Sequence, residues 1–250
     1  MTNTYDPRVS IVGEGPAVVL VPGMDGTGTL FYRQLPLLAR THRVVTYALR
    51  DTATDMDTLV DDLAGIIEAV NPADGKAIVI GESFGGTLAM SLALARPERV
   101  AALVILNSFP YFKPQVHLRL ALYGLAAMPW GAMRLVRRLT AWRLHSAHTR
   151  RDEIRRFLEL TAATTKQGYV NRLRILRAYD IRGRLAALRP PTLFLAAERD
   201  RLVPSIAQAR FMAARVPGAT VRVLTGHGHV CLIAPGVDLG HILNEWVVER

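Results

Sequence analysis

Ser83 stands out among the residues able to do chemistry because of the stretch around it, Val79-Ile80-Gly81-Glu82-Ser83-Phe84-Gly85-Gly86. The apolar run 76–80 reads as a buried strand. Residues 84–95 carry Leu88, Leu92 and Ala95 at helical spacing until Pro97 stops the pattern. The serine therefore falls on a strand-to-helix turn. Gly81 and Gly85, two residues away on either side, have no side chains to collide with neighbouring backbone there. A turn of this Gly-x-Ser-x-Gly kind lifts the hydroxyl above the carboxyl edge of a sheet. It also aims the free N–H groups and positive dipole end of the next helix at whatever the serine attacks. An idle serine on a tight turn would show the same five residues, so the rest of the chain must supply partners. A serine hydroxyl is a poor nucleophile at neutral pH. It needs an imidazole to take its proton, and a carboxylate to fix that imidazole's tautomer.

The elements that would position these groups can be followed in order. Residues 8–12 and 17–21 read as two strands around Gly13-Glu14-Gly15-Pro16, a hairpin signal. The loop Pro22-Gly23-Met24-Asp25-Gly26-Thr27-Gly28 follows, rich enough in glycine for its backbone to approach a ligand. It lacks the Lys-Ser/Thr ending of a Walker loop and the correctly spaced acid of a dinucleotide fingerprint. An apolar helix is predicted over about 30–39, a strand over 44–49, and a helix over 56–70 striped by Leu59, Leu63, Ile66, Ile67 and Val70. Asp55, Asp57, Asp61 and Asp62 crowd the start of that helix, where its dipole accounts for acids more simply than a metal does. After the serine turn and its helix, residues 100–106 form another apolar strand. Strands apolar on both faces and separated by helices predict a parallel sheet with right-handed crossovers.

Over 109–189 helical patterns take over, with breaks expected at Pro129-Trp130-Gly131, 145–149 and Gln167-Gly168. Strand character resumes at 192–196, followed by a helix over about 205–215, a strand over 219–224 and a helix over 236–248. The predicted class is α/β, with a mostly parallel central sheet flanked by helices. Residues 1–108 and 190–250 would be the core, and 109–189 an inserted helical cap.

A chain of 250 residues can bury roughly 70–75% of its unfolded surface. The longest nearly uncharged run of the middle region, 120–133, is interrupted by Gly124, Pro129 and Gly131 and is too short to span a bilayer. The first residues lack the basic start and apolar stretch of a secretion signal, and Cys231 has no intramolecular disulfide partner, so a cytoplasmic location is expected. The net charge of +10 is concentrated in one segment, where residues 113–189 hold 17 Lys and Arg against 4 Asp and Glu. No DNA- or RNA-binding motif accompanies it, so no nucleic-acid partner is expected. Apolar residues interleaved with arginine over 118–144 keep contact with an anionic membrane surface open. An amphipathic cap packed over the sheet would give the same pattern.

Taken together, the chain resembles the α/β-hydrolase superfamily over essentially its whole length. The resemblance rests on four stretches in the family's order: the 22–28 loop, Gly81 to Gly85, Glu198-Arg199-Asp200-Arg201-Leu202-Val203-Pro204, and Gly228-His229. It implies Asp200 as the acid, because the family's acid commonly follows the strand after the cap in a pattern like Asp-x-x-Val-Pro. The alternative acid position, after Leu106, offers Asn107 and Ser108. Two histidines follow glycines in the right loop. His229, with Pro235 downstream, fits the family's spacing better than His227. His42, His117, His145, His148 and His241 are expected at the surface or in packing. The family's pattern assigns the oxyanion-binding N–H groups to Met24 and Phe84, although Pro22 stands where many relatives have a histidine. His227, His229 and Cys231 resemble metal ligands, but a structural site usually needs four, so no metal or cofactor is expected. Glu82 beside the serine is open to a role in tuning the site, though at this turn position a hydrogen-bonded or partly solvent-facing side chain is the readier expectation, and Cys231 is expected to be a packed apolar residue.

The implied activity is that of a serine hydrolase cleaving carboxylic esters through an acyl-enzyme. Its partner would be a small-molecule ester admitted past Phe109, Tyr111, Phe112, Leu118, Leu122, Leu125, Met128, Trp130 and Met133. Serine at the turn argues against haloalkane dehalogenases and epoxide hydrolases, whose relatives have aspartate there. Thioesterase, lactonase, carbon–carbon hydrolase and acyltransferase chemistry use the same groups. The 22–28 loop with Gly-Glu-Ser-Phe-Gly-Gly also looks like plastid esterases with acyltransferase activity. A non-catalytic binding module is the reading from a different class.

Overall fold

The computed structural model describes residues 6–71, 73–112, 129–132, 135, 138, 144–145 and 148–248. Among them, seven strands form one sheet: β1 (Val9–Val12), β2 (Ala17–Val21), β3 (Arg43–Tyr47), β4 (Ala77–Glu82), β5 (Val100–Leu106), β6 (Thr192–Ala197) and β7 (Thr220–Leu224). The spatial order is β1-β3-β2-β4-β5-β6-β7, and every neighbouring pair is parallel except β1 with β3. The fold is the α/β class expected from the sequence.

The expected hairpin of the first two strands does not form, because β1 pairs antiparallel with β3 instead of with β2. Burial explains the difference. All five residues of β2 are buried, so β2 takes a parallel neighbour on each edge, β3 and β4. The half-buried, alternating β1 is left to the sheet margin.

Helices cover both faces. On one, α2 (Met56–Val70) and α3 (Phe84–Ala95) close a core with Val19, Val45, Val79 and Ile105. On the other, α1 (Leu35–Leu38) and α7 (Leu239–Val248) pack Leu38, Leu243 and Trp246 against Leu20, Val104 and Leu195. The whole predicted stripe of α2 is buried. Its acids serve the helix and its surroundings: Asp55 caps it by accepting from the Thr58 N–H at 2.7 Å, Asp62 pairs with Arg8 and Arg50, and Asp61 pairs with Arg96. The single helix predicted over 30–39 is instead a 3₁₀ turn, Thr29–Phe31, followed by α1. Pro36 is the physical reason: it has no N–H to bond back into an earlier turn, and it sits in the first turn of α1.

Between β5 and β6 the described residues form a 3₁₀ turn (Trp130–Ala132), α4 (Arg151–Thr161), α5 (Lys166–Ala178) and a 3₁₀ helix (Arg182–Ala187). The segment leaves and rejoins the sheet side by side: Tyr111 bridges Asp180 antiparallel, and the Ile181 N–H donates to the Pro110 carbonyl at 2.8 Å. The break expected at Gln167-Gly168 is the first turn of α5, capped by Thr165, whose Oγ1 accepts from the Gly168 N–H at 3.0 Å. Gly168 is there for close approach, since a Cβ on it would collide with the Asp51 carboxylate. α4 lies over the Thr29–Phe31 turn, where Tyr32 and Arg33 bond to Glu153 and Phe157 packs with Leu30, Val230 and Ile233. Leu118, Leu122, Leu125, Met128, Met133 and His117 lie outside the described residues. Among the described residues no helix is long and apolar enough to cross a membrane. The last two elements in the chain are α6 (Ser205–Ala213), after β6, and α7 after β7.

Candidate active site

β4 ends at Glu82 and α3 begins at Phe84, so Ser83 alone makes the turn between them. It holds φ 53° and ψ −116°, a conformation that costs a non-glycine residue on the order of 1–3 kcal/mol. The surroundings hold it there. The Ser83 N–H donates to Leu106 O at 2.9 Å, and Ser83 O accepts from the Gly86 N–H at 3.0 Å and from Ser108 Oγ at 2.8 Å. The flanking glycines are required by contact: a Cβ on Gly81 would collide with the Gly85 carbonyl, and one on Gly85 with the carbonyls of Val21 and Pro22. The same contacts press the 22–28 loop against the serine turn.

Above that turn, His229 joins Ser83 to Asp200. Ser83 Oγ is 3.0 Å from His229 Nε2, and His229 Nδ1 is 2.7 Å from Asp200 Oδ2. The Asp200 carboxylate is fixed by three further donors. Oδ1 accepts from the N–H groups of Leu202 (2.8 Å) and Val203 (2.9 Å), and Oδ2 accepts from Ser205 Oγ (2.5 Å). His227 is placed elsewhere, its ring centroid 5.2 Å from that of His148 and its buried Nδ1 without a hydrogen-bond partner among the described residues. Of the two candidate histidines, it is His229 that the fold brings to the serine.

Burial opposes charge on both His229 and Asp200, yet their pairing wins. Burial pulls the His229 pKa down, but the Asp200 charge, its hydrogen bond and the Glu82 charge raise it to about 8. Asp200 is likewise penalised by burial and is nevertheless held below the usual carboxylate value by His229, Ser205 and the Val203 N–H. Glu82 departs from its expected place. It is 7% exposed, with Oε1 3.7 Å from His229 Nε2, on the side of the ring that faces Ser83. Burial, with Asp25 and Asp200 adding to it and His229 opposing, pushes its pKa up to about 7. Gly23, where a Cβ would collide with Glu82 Oε2, leaves room for this side chain beside the 22–28 loop.

Met24 lies on the loop after β2, whose Pro22 carbonyl approaches Gly85, and Phe84 is the first residue of α3. Among the described residues neither backbone N–H donates a hydrogen bond within the chain. The described residues contain no cluster of three or more His, Cys, Asp and Glu able to hold a metal ion. Cys231 is fully buried, 3.5 Å from Asn107 Nδ2.

Residues 18–239 match the model of the alpha/beta hydrolase family. The chain belongs to that family. Among curated proteins it is similar to "Putative carbamate hydrolase RutD" of Caulobacter sp. (strain K31), 30% identical over 97% of both chains. Among solved structures it is similar to a hydrolase from Pseudomonas aeruginosa PA01, with a TM-score of 0.84, 21% identity and coverage of 96% of this chain and 93% of that one. It is also similar to an esterase from Exiguobacterium antarcticum, with a TM-score of 0.83, 19% identity and coverage of 96% and 93%. On this alpha/beta hydrolase frame three further residues hold the site together, and sequence reasoning did not single them out for this. Asn107, at φ 49°, donates from Nδ2 to His229 O at 2.7 Å and accepts from the Ala197 N–H at 2.8 Å, tying the ends of β5 and β6 to the histidine loop. Ser205 bonds Asp200. Arg172, from α5, bonds the backbone of the 22–28 loop.

Proposed function

We propose that this protein is a serine hydrolase that cleaves carboxylic esters of small to medium apolar acyl groups. The reading rests on one observation: the unbroken chain from Ser83 Oγ through His229 to Asp200 at a strained strand-to-helix turn. Ser83 Oγ attacks the ester carbonyl carbon while its proton passes to His229 Nε2. The carbonyl oxygen takes the negative charge against the N–H groups of Met24 and Phe84. As the carbon–oxygen bond to the alcohol breaks, His229 returns the proton to the departing oxygen. Water then attacks the acyl-enzyme, giving its proton to His229 and restoring Ser83. Asp200 stabilises the imidazolium in both halves and remains ionised. The segment between β5 and β6 acts as a cap over the site, with Phe109, Tyr111, Phe112 and Trp130 as the apolar acyl-selecting residues among those described. Each methylene buried there contributes about 0.8 kcal/mol, so kcat/KM should rise with acyl length until the space is full.

A second substrate class, carbamates, is favoured by the name of the 30%-identical relative, whose match spans 97% of both chains. The same nucleophile, base and oxyanion donors serve either carbonyl. A fluorophosphonate should label the protein once, on Ser83, and the Ser83→Ala and His229→Ala variants should stay unlabelled. Labelling at another residue would overturn the assignment. A panel of aryl ester, thioester and carbamate substrates, each run beside Ser83→Ala, then ranks the acyl classes by kcat/KM.

A further inference from the structure

Arg172 is a guanidinium almost wholly removed from solvent, 2% exposed, on a helix that belongs to the segment between β5 and β6. Its Nε donates to Met24 O at 3.0 Å and its Nη2 to Asp25 O at 3.2 Å. Its Nη1 donates to Asp51 Oδ1 at 3.0 Å. The planar fork thus grips two consecutive peptide carbonyls of the loop that carries the Met24 N–H. Gly26, at φ 72°, leaves the space the fork fills, since a Cβ there would lie 2.5 Å from the guanidinium carbon. The turn it grips is closed by the Gly26 N–H on Gly23 O at 3.1 Å, and Asp25 Oδ2 accepts from the Thr27 N–H at 2.9 Å. Asp51 in turn is tied to the start of α5, where Thr165 Oγ1 donates to it at 2.7 Å and Asn171 Nδ2 donates to its carbonyl at 2.9 Å.

Stability alone is a weak reason for this arrangement, because a buried ion pair can often be exchanged for apolar residues without loss. A rigid fork on adjacent carbonyls fixes peptide orientation, which an apolar side chain cannot do. We propose that Arg172 is a positioning residue for the oxyanion site, holding the 24–26 turn so that the Met24 N–H is presented to the carbonyl oxygen as it becomes charged. The oxyanion site is then complete only when α5 is docked, which links the segment between β5 and β6 to the chemical step as well as to substrate entry. The inference rests on the serine-hydrolase reading above, with Met24 as an oxyanion donor.

The test is steady-state kinetics on an aryl ester for the wild type, Ser83→Ala, Arg172→Ala and Arg172→Lys. Affinity for an arylboronic acid, which forms a tetrahedral adduct on the serine, is measured beside it. Loss of an oxyanion donor typically costs 10²–10³ in kcat, and a similar fall is expected for Arg172→Ala, with KM changed less than about threefold and boronate affinity falling alongside kcat. Millimolar guanidinium should restore part of the Arg172→Ala activity. Arg172→Lys keeps the charge without the fork and should stay at least about tenfold down in kcat while remaining folded by circular dichroism, so it decides the matter should the alanine variant fail to fold. Wild-type kcat in either folded variant, or losses that follow only the folded fraction with no guanidinium rescue, would overturn the proposal. If Ser83→Ala retains activity, the underlying reading fails and this inference with it. If Ser83→Ala is dead while the Arg172 variants are normal, only the role of Arg172 fails.

Discussion

An imidazole held between two carboxylates gives up its proton reluctantly, and this sets the pH at which the site can work. In the proposed mechanism His229 must be neutral to accept the Ser83 proton, and against its burial Asp200 together with Glu82 raises its pKa to about 8. The kcat/KM of the wild type should therefore rise through a limb near pH 8 and level off above it. Glu82→Gln removes a negative charge 3.7 Å from Nε2, which makes the imidazolium easier to deprotonate, so the limb should move to lower pH. An unmoved or raised limb in that variant would exclude electrostatic coupling between the two. His229→Ala should cost nearly as much as loss of the serine, Asp200→Asn about 10⁴ in kcat, and His227→Ala far less. The reverse ranking of the histidines would reassign the base. At this scale the grouping of Ser83, Asp200 and His229 is legible in the sequence because local patterns mark each of the three. Of the two readings open for Glu82, its burial beside His229 fits the one in which it tunes the site, and sequence cannot choose between them because a side chain one residue before the serine gives no sign of which way the turn throws it. Arg172 was invisible, being one arginine among many, with backbone carbonyls almost 150 residues earlier as its partners.

Elements were most readable where one signal dominated. The bounds of α2, α3 and β5 follow from an apolar stripe, from a glycine turn ended by Pro97, and from an unbroken apolar run. The partner of β1 was not readable, because short strands at a sheet margin are chosen by which edges the buried strands leave open, a long-range outcome. The start of α5 was misread for the opposite reason: Gly168 looks like a helix breaker, while its actual use is to let the Asp51 carboxylate approach the helix. Gly168→Ala should accordingly destabilise the protein by about 1–3 kcal/mol in urea unfolding, the cost of overpacking a closed site. Gly183→Ala, where a Cβ meets nothing within 4 Å, is the control expected to stay within about 1 kcal/mol of wild type. Equal effects at the two positions would remove the close-approach explanation.

Across the whole molecule, charge is distributed as unevenly as chemistry. Residues 113–189 carry 17 Lys and Arg against 4 Asp and Glu, while the rest of the chain is net acidic, and their described arginines are all exposed except the buried Arg172. A field from such a surface should draw anionic substrates toward the site. The kcat/KM of a carboxylate-bearing ester should fall more than that of a neutral ester as salt shortens the Debye length from about 30 Å at 0.01 M to about 8 Å at 0.15 M. Parallel responses would leave the arginines to solubility or membrane-surface contact. The proposed reading ties the sheet, the Ser83 turn and the α5 contact to the 22–28 loop to one hydroxyl, so that hydroxyl is the place to test the whole. The most direct measurement is kcat of Ser83→Ala on an aryl ester that the wild type turns over. A fall on the order of 10⁶ is predicted, as for removal of a nucleophile that acts with its base as a unit, and a fall of less than tenfold would contradict the serine mechanism.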